Sequence, residues 1–241
     1  MSLAISIYVP AGIVMAADSR VTGTLTREEE QAVPDSKART VRIQQQLAFS
    51  DNAQKLIALD EAGVGISCFD SVIIEGQAVE THIQEFDMVE RPRPTEGIET
   101  IASHLIAHFK DRFPGVSVGF HVAGYRREGD RLTPQVYSCH TQIEPVPIRR
   151  NTNEKGKVVY GITRSGETSI VNRIIDPNST PYFDAMPLQD AIDYVLFLMH
   201  TTIDTLRFEP RYAAVGGPID VLVITPNQMR FVQRKELHGE R

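Results

Sequence analysis

The 241-residue sequence predicts an α+β fold, a four-layer αββα sandwich of two antiparallel sheets stacked face to face and covered outside by helices. Two observations predict it. Strand-like apolar runs and helix-like apolar stripes follow one another in the order strands, helix pair, strands, helix pair, strands. Each kind of element must also bury one apolar side, and stacked sheets with outer helices satisfy both at once. No composition shift, internal repeat or Pro/Gly/Ser-rich linker divides the chain, so residues 1–241 read as a single domain, a permissible length for a β-rich one.

The elements follow in order. Ala4, Ile5, Ile7 and Val9 form a strand, Pro10-Ala11-Gly12 its turn, and Ile13–Ala17 a second strand whose unbroken apolar character puts both faces in the interior. The polar stretch from Thr22 to Ser50, with Glu28-Glu29-Glu30 and Pro34-Asp35, reads as a long loop with strand character only at Arg39–Ile43; loops of that length are usually functional. Lys55 to Ser71 resembles a hairpin turning near Asp60–Gly63, with Ser71 placed to cap a helix. One helix then carries Ile74, Ala78, Val79, Ile83 and Phe86. A second opens at Pro94-Thr95 and carries Ile98, Ile101, Ala102, Leu105, Ile106 and Phe109, in steps of three and four. Strands resume at Val116–Tyr125, Leu132–Ser138 and Val158–Ile162. Beyond Ser165-Gly166 a short helix holds Ile170, Val171 and Ile174. The last helix starts near Pro187 with Leu188, Ala191, Ile192, Val195, Met199, Ile203 and Leu206 on one side, and Gly216-Gly217 leads to a final hairpin over Ile219–Val232.

Composition excludes several classes. Charged residues make up 23% of the chain and its net charge is −6, without long runs of one sign, which argues against a nucleic-acid partner. The longest apolar stretches are strand-sized against the roughly 20 residues of a membrane helix. No basic region followed by an apolar one opens the chain, and a cytoplasmic protein without a membrane partner is expected. Cys68 and Cys139 have neither a CxxC pattern nor histidine companions and read as reduced thiols. His104 and His108 share a helix face at the spacing of a metal pair, but no carboxylate ligand follows, so they read as helix surface or helix pairing. Phosphate loops, dinucleotide fingerprints and H-E-x-x-H are absent, and neither metal nor organic cofactor is expected.

The chemistry is concentrated at the start. Ser2 follows an initiator methionine that a small second residue allows to be removed, and the hairpin after it ends in Asp18. Once unmasked, Ser2 would carry both a hydroxyl and an α-amine, whose ordinary pKa of about 7.7–8.0 lets it accept the hydroxyl proton during attack on a carbonyl.

The run G-I-V-M-A-A-D-S-R, Gly12 to Arg20, is followed by Q-K-L-I-A-L from Gln54, R-S-G-E-T from Arg164, and G-G-P-I-D-V at Gly216–Val221. In this order they resemble the β-type subunits of the proteasome core and their bacterial relatives, members of the N-terminal-nucleophile hydrolases. The resemblance implies Ser2 as nucleophile, Lys55 as the lysine that keeps the α-amine neutral by placing positive charge beside it, and Asp18 as the carboxylate that fixes the lysine. It further implies Ser165 as a hydrogen-bond partner of the amine, Gly166 as part of the binding turn, and an oxyanion donor around Cys68–Asp70, centred on Phe69. The substrate would be a peptide or protein, and the chain would assemble with itself into a ring or related oligomer, with or without an ATPase partner.

Some features depart from that family. Phe69 and Asp70 stand where it keeps a glycine, Tyr212 and Val215 where many members place an aspartate and a serine, and the stretch from Arg20 to Lys55 is longer than usual. Serine also replaces threonine, losing the methyl group that fixes the rotamer. Plainer roles stay open: Ser2 as part of an added leader, Asp18 as a turn cap, Lys55 as a strand-edge lysine, Ser165 as a helix N-cap, and the whole chain as a catalytically silent assembly or binding subunit.

Overall fold

The computed structural model describes residues 2–31, 39–176 and 178–236. Strands β1 (Leu3–Val9) and β2 (Gly12–Ala17) form the first hairpin, and every residue of both is buried, as continuous apolar character requires. β3 (Val21–Gln31) and β4 (Arg39–Ser50) pair antiparallel along their whole length, from Val21↔Ser50 to Gln31↔Arg39. The segment read as a loop is therefore mostly a ribbon. Its described side chains are largely exposed, so it lacks the apolar alternation by which a half-buried strand is recognised. Pro34 and Asp35 lie outside the described residues.

β5 (Leu56–Leu59) and β6 (Val64–Asp70) make the next hairpin, closed by the Gly63 N–H on the Asp60 carbonyl at 3.2 Å. Ser71 caps no helix. A small hairpin of β7 (Ile73–Ile74) and β8 (Gln77–Ala78) intervenes, turning through Glu75 at φ 49° and Gly76 at φ 80°. Those left-handed residues cannot sit in a right-handed helix, so Ile74 belongs to a strand and α1 (Val79–Glu90) begins five residues later. α2 (Ile98–Arg112) starts behind Gly97 rather than at Pro94-Thr95.

The chain continues through β9 (Val118–Glu128), β10 (Arg131–His140), β11 (Glu144–Arg149), β12 (Gly161–Gly166), α3 (Ser169–Ile174), α4 (Leu188–Leu206), β13 (Asp220–Ile224) and β14 (Met229–Gln233). β11 was not expected: it carries Pro145 and Pro147, which restrict a strand to a sheet edge, and it lies at one. β12 lies later than the Val158–Ile162 reading, which places Ser165 and Gly166 inside the strand.

Two antiparallel five-stranded sheets result, ordered β12-β1-β2-β13-β14 and β11-β10-β9-β6-β5. α4 packs on β1 and β2, and α2 on β9, β10 and β11. One apolar cluster joins Leu3, Ile5, Val14 and Val221 to α4 residues such as Val195 and Met199, and another joins Ile66, Phe120 and Val122 to Ile83, Leu105 and Phe109. A third cluster, including Tyr8, Ile13, Met15, Leu56, Ala123 and Leu222, draws on both sheets. No described helix is long and apolar enough to cross a membrane.

Close approach between sheet elements sets some residue choices. A Cβ on Gly119 would lie 2.1 Å from the buried Phe69 ring. Gly119→Ala should therefore cost about 1–3 kcal/mol of stability through overpacking, and adding Phe69→Leu should recover most of the loss. Urea unfolding of both variants checks this, and a Gly119→Ala protein as stable as the parent would contradict the packing.

Candidate active site

Asp18 follows the end of β2 and its carboxylate is buried. Oδ1 accepts the Leu3 N–H at 2.9 Å, and Oδ2 accepts the N–H groups of Arg20 at 3.1 Å and Gly216 at 3.2 Å. Lys55 completes the shell, with Nζ 3.0 and 3.1 Å from the two oxygens and 2.5 Å from the Arg20 carbonyl. The ammonium is fully buried. All three of its hydrogens meet oxygen, which is the condition for burying such a charge without leaving it uncompensated. The Lys55 carbonyl accepts the Cys68 N–H at 2.9 Å, extending the β5–β6 ladder and fixing where the side chain starts.

The next two residues brace this centre. Ser19 donates its N–H to Gly216 O at 3.1 Å and accepts the Ala53 N–H at 3.0 Å. Arg20 grips Asp51 with two hydrogen bonds of 2.7 and 2.9 Å and donates to the Ala213 carbonyl. That hydrogen-bonded pair raises the Arg20 pKa and holds the Asp51 carboxyl below its ordinary value. A Cβ on Gly216 would lie 2.5 Å from the Arg20 guanidinium carbon, so admitting one would displace the Arg20 side chain from its place on Asp51.

Ser2 immediately precedes the Leu3–Asp18 contact and is fully buried. Its carbonyl accepts the Glu167 N–H at 2.8 Å. Gly166 wraps closely around that carbonyl at φ 85°, where a Cβ would fall 1.8 Å from the oxygen. Glu167 is held in turn by Arg211 at 2.7 Å and by Ser169, which keep its carboxyl pKa low against its own burial. The Ser2 hydroxyl has no hydrogen-bond partner among the described residues.

The structure thus brings Asp18 and Lys55 into direct contact and sets Ser2 and Gly166 against each other. The Ser165 hydroxyl lies 2.9 Å from His121 Nε2, and the residue is no helix cap, since Thr168 occupies that position for α3. Cys68 cannot supply the oxyanion donor, because its N–H is spent on the Lys55 carbonyl. Its thiol is pushed up to about 12 by burial and stays protonated. Phe69 packs on His121 with ring centroids 5.5 Å apart. Asp70 takes φ 70°, a conformation aspartate tolerates better than most residues, and its carboxylate meets His140 Nε2 at 3.0 Å. His104 and His108 join no cluster of metal-ligating groups among the described residues, and the His108 ring packs edge-on to Phe86.

Sequence reasoning missed His121 and Ser6. His121 Nδ1 lies 3.1 Å from Ser6 Oγ, and the ring is completely buried. Desolvation, helped by the Arg150 charge, lowers its pKa to about 3. The available signal was a polar residue at an inward position of an apolar strand, in S-I-Y-V and F-H-V-A.

The fold has solved counterparts. The Gly-1 mutant of Anbu from Hyphomicrobium sp. strain MC1 superposes with a TM-score of 0.63 at 16% identity, covering 98% of this chain and 86% of that one. Anbu from Yersinia bercovieri, described as an ancestral beta-subunit, superposes at 0.59 and 16% identity, covering 95% of this chain and 87% of that one. The chain therefore has a proteasome-β-like, mixed α+β fold. No protein-family model matches it, and no curated protein matches it in sequence.

Two stability predictions follow from these contacts. Asp18→Ala strips Lys55 and three backbone N–H groups of their acceptor, and should cost about 3–5 kcal/mol. Lys55→Met leaves Asp18 with its N–H donors and should cost less; urea unfolding giving the reverse order would contradict the arrangement. His121 stays neutral in the fold while an unfolded imidazole titrates near pH 6.5. The unfolded chain then binds the extra proton, so stability is complete above that pH. It falls by about 1.4 kcal/mol per pH unit as the pH drops toward the folded value. In His121→Gln the slope between about pH 6 and pH 4 should flatten by one proton's worth, and an unchanged slope would show that His121 is not buried neutral.

Proposed function

We propose that this chain is an N-terminal-nucleophile amide hydrolase, a peptidase of the proteasome-like type that uses Ser2 after removal of Met1, a residue outside the described set. The αββα sandwich supplies two sheets with the reacting end of β1 between them and outer helices for contacts with further copies. The observation that carries the reading is the buried Asp18–Lys55 pair, whose carboxylate also holds the Leu3 N–H next to Ser2. Ammonium charge at that place favours a neutral α-amine, and the Ser2 hydroxyl, without a hydrogen-bond partner among the described residues, is available to lose its proton to it. Attack on a peptide carbonyl forms an ester on Ser2 and releases an amine that takes up the proton. Water then clears the ester. The substrate is a peptide or protein, the assembly a homo-oligomeric ring or related particle, and the setting cytoplasmic.

A second reading, a catalytically silent proteasome-like subunit, is favoured by one observation: Ser2 is fully buried and bonds neither Lys55 nor Ser165 through its hydroxyl. The two separate experimentally. Protein made without an added N-terminal tag should lose one methionine by intact mass, and a peptide epoxyketone or β-lactone should then give a single adduct that Ser2→Ala abolishes. Retained methionine with no adduct supports the silent subunit, and an adduct that survives Ser2→Ala removes Ser2 as nucleophile.

A further inference from the structure

Alternate residues of β1 share a face, so Ala4, Ser6 and Tyr8 look the same way, and Ser2, the residue before the strand, continues that alternation in sequence. That way is toward the second sheet, because Ser6 bonds His121 of β9 and Tyr8 belongs to the cluster shared by both sheets. Ser165 stands opposite Ala4 in the β1–β12 register. It is flanked diagonally by Ser2 on one side and Ser6 on the other, neighbours about 7–8 Å apart in such a ladder. His121 spans Ser6 and Ser165 with its two ring nitrogens, at 3.1 and 2.9 Å. The polar row Ser6–His121–Ser165 therefore leads along the strand to Ser2. Of its three serines, only the Ser2 hydroxyl lacks a partner among the described residues.

A neutral imidazole has one N–H and one lone pair. It must donate to one serine and accept from the other, so the tautomer sets the direction of both hydroxyls. The ring itself is held by complete burial and by the Phe69 ring. Arg150 is the charged group that acts on it, and burial keeps it uncharged.

We propose that His121, backed by Ser6, is a positioning residue that aims Ser165 at the α-amine of Ser2. The inference rests on the reading of Ser2 as nucleophile. Nδ1–H donates to Ser6, Nε2 accepts the Ser165 O–H, and the Ser165 lone pairs face the amine. When Ser2 Oγ bonds the substrate carbonyl carbon, its proton passes to the α-amine. Ser165 accepts a hydrogen bond from the ammonium so formed, which later returns the proton to the leaving amine. His121 and Ser165 gain and lose no net proton.

Two measurements test this together. The first is the rate of epoxyketone adduct formation at Ser2, followed by intact mass with melting temperatures in parallel. His121→Leu and Ser165→Ala should each slow it about tenfold or more. The double variant should be no slower than the slower single one, because both remove one function, and His121→Gln, which keeps an amide at the same reach, should recover much of the rate. Losses that multiply, or a His121→Leu protein of normal melting temperature reacting at the parental rate, would overturn the role while leaving Ser2 as nucleophile. No adduct in the parent, or one that persists in Ser2→Ala, would refute the nucleophile and the role together. The second measurement is imidazole ¹⁵N NMR on Ser2→Ala protein, which needs no activity and holds even if His121→Leu does not fold. The expected ring is protonated at Nδ1, with the Nε2 signal moving in Ser165→Ala and the Nδ1 signal in Ser6→Ala. An Nε2-protonated ring, or signals indifferent to both substitutions, would overturn the proposal.

Discussion

One carboxylate organises this protein's N-terminal end. Asp18 accepts hydrogen bonds from the first strand, from its own chain two residues on, and from the turn before β13, and it pairs with an ammonium brought in at the start of β5. Those segments are far apart in sequence and belong to both sheets. Burying a carboxylate and an ammonium is costly unless each remaining lone pair and hydrogen is satisfied, and here the surrounding backbone supplies the missing partners. The pair therefore ties the two sheets together at this end, and its carboxylate also holds the backbone N–H of Leu3, next to Ser2.

The surrounding residues are explained by how closely the backbones must approach. Gly166 leaves room for the Ser2 carbonyl and Gly216 for the Arg20 guanidinium, where any side chain would overlap atoms already present. Phe69 fills the space that Gly119 leaves and packs at a tilt against the His121 ring. The same crowding that positions Ser2 also buries it. An exposed polar site would be cheaper to build, but the low-dielectric interior is where a fixed charge acts most strongly on a neighbouring amine.

Much of this was legible in the chain, and the exceptions have physical causes. The first hairpin, the Lys55 hairpin, α4 and the final hairpin could be read because each buries a regular apolar pattern. The β3–β4 ribbon could not, since its strands are held by their mutual ladder with little burial to imprint a pattern. The start of α1 was misplaced because Ile74 fits the helical spacing by chance, while the left-handed turn at Glu75–Gly76 excludes it. At the site, D-S-R with a distant lysine located Asp18 and Lys55, whereas His121 and Ser6 meet only through sheet stacking, which no local spacing encodes. Asp70, which stands where the resembled family keeps a glycine, adopts the left-handed backbone that a glycine would supply.

On the proposed reading, the Asp18–Lys55 pair, which holds the Leu3 N–H beside Ser2, serves the chemistry of Ser2. A crystal structure of the chain beginning at Ser2 tests it most directly. The expected result is β1 still held by Asp18 through the Leu3 N–H, with the Ser2 hydroxyl swung to within about 3.5 Å of Lys55 Nζ. A free Ser2 whose hydroxyl stays beyond that reach, or a first strand released from Asp18, would contradict it.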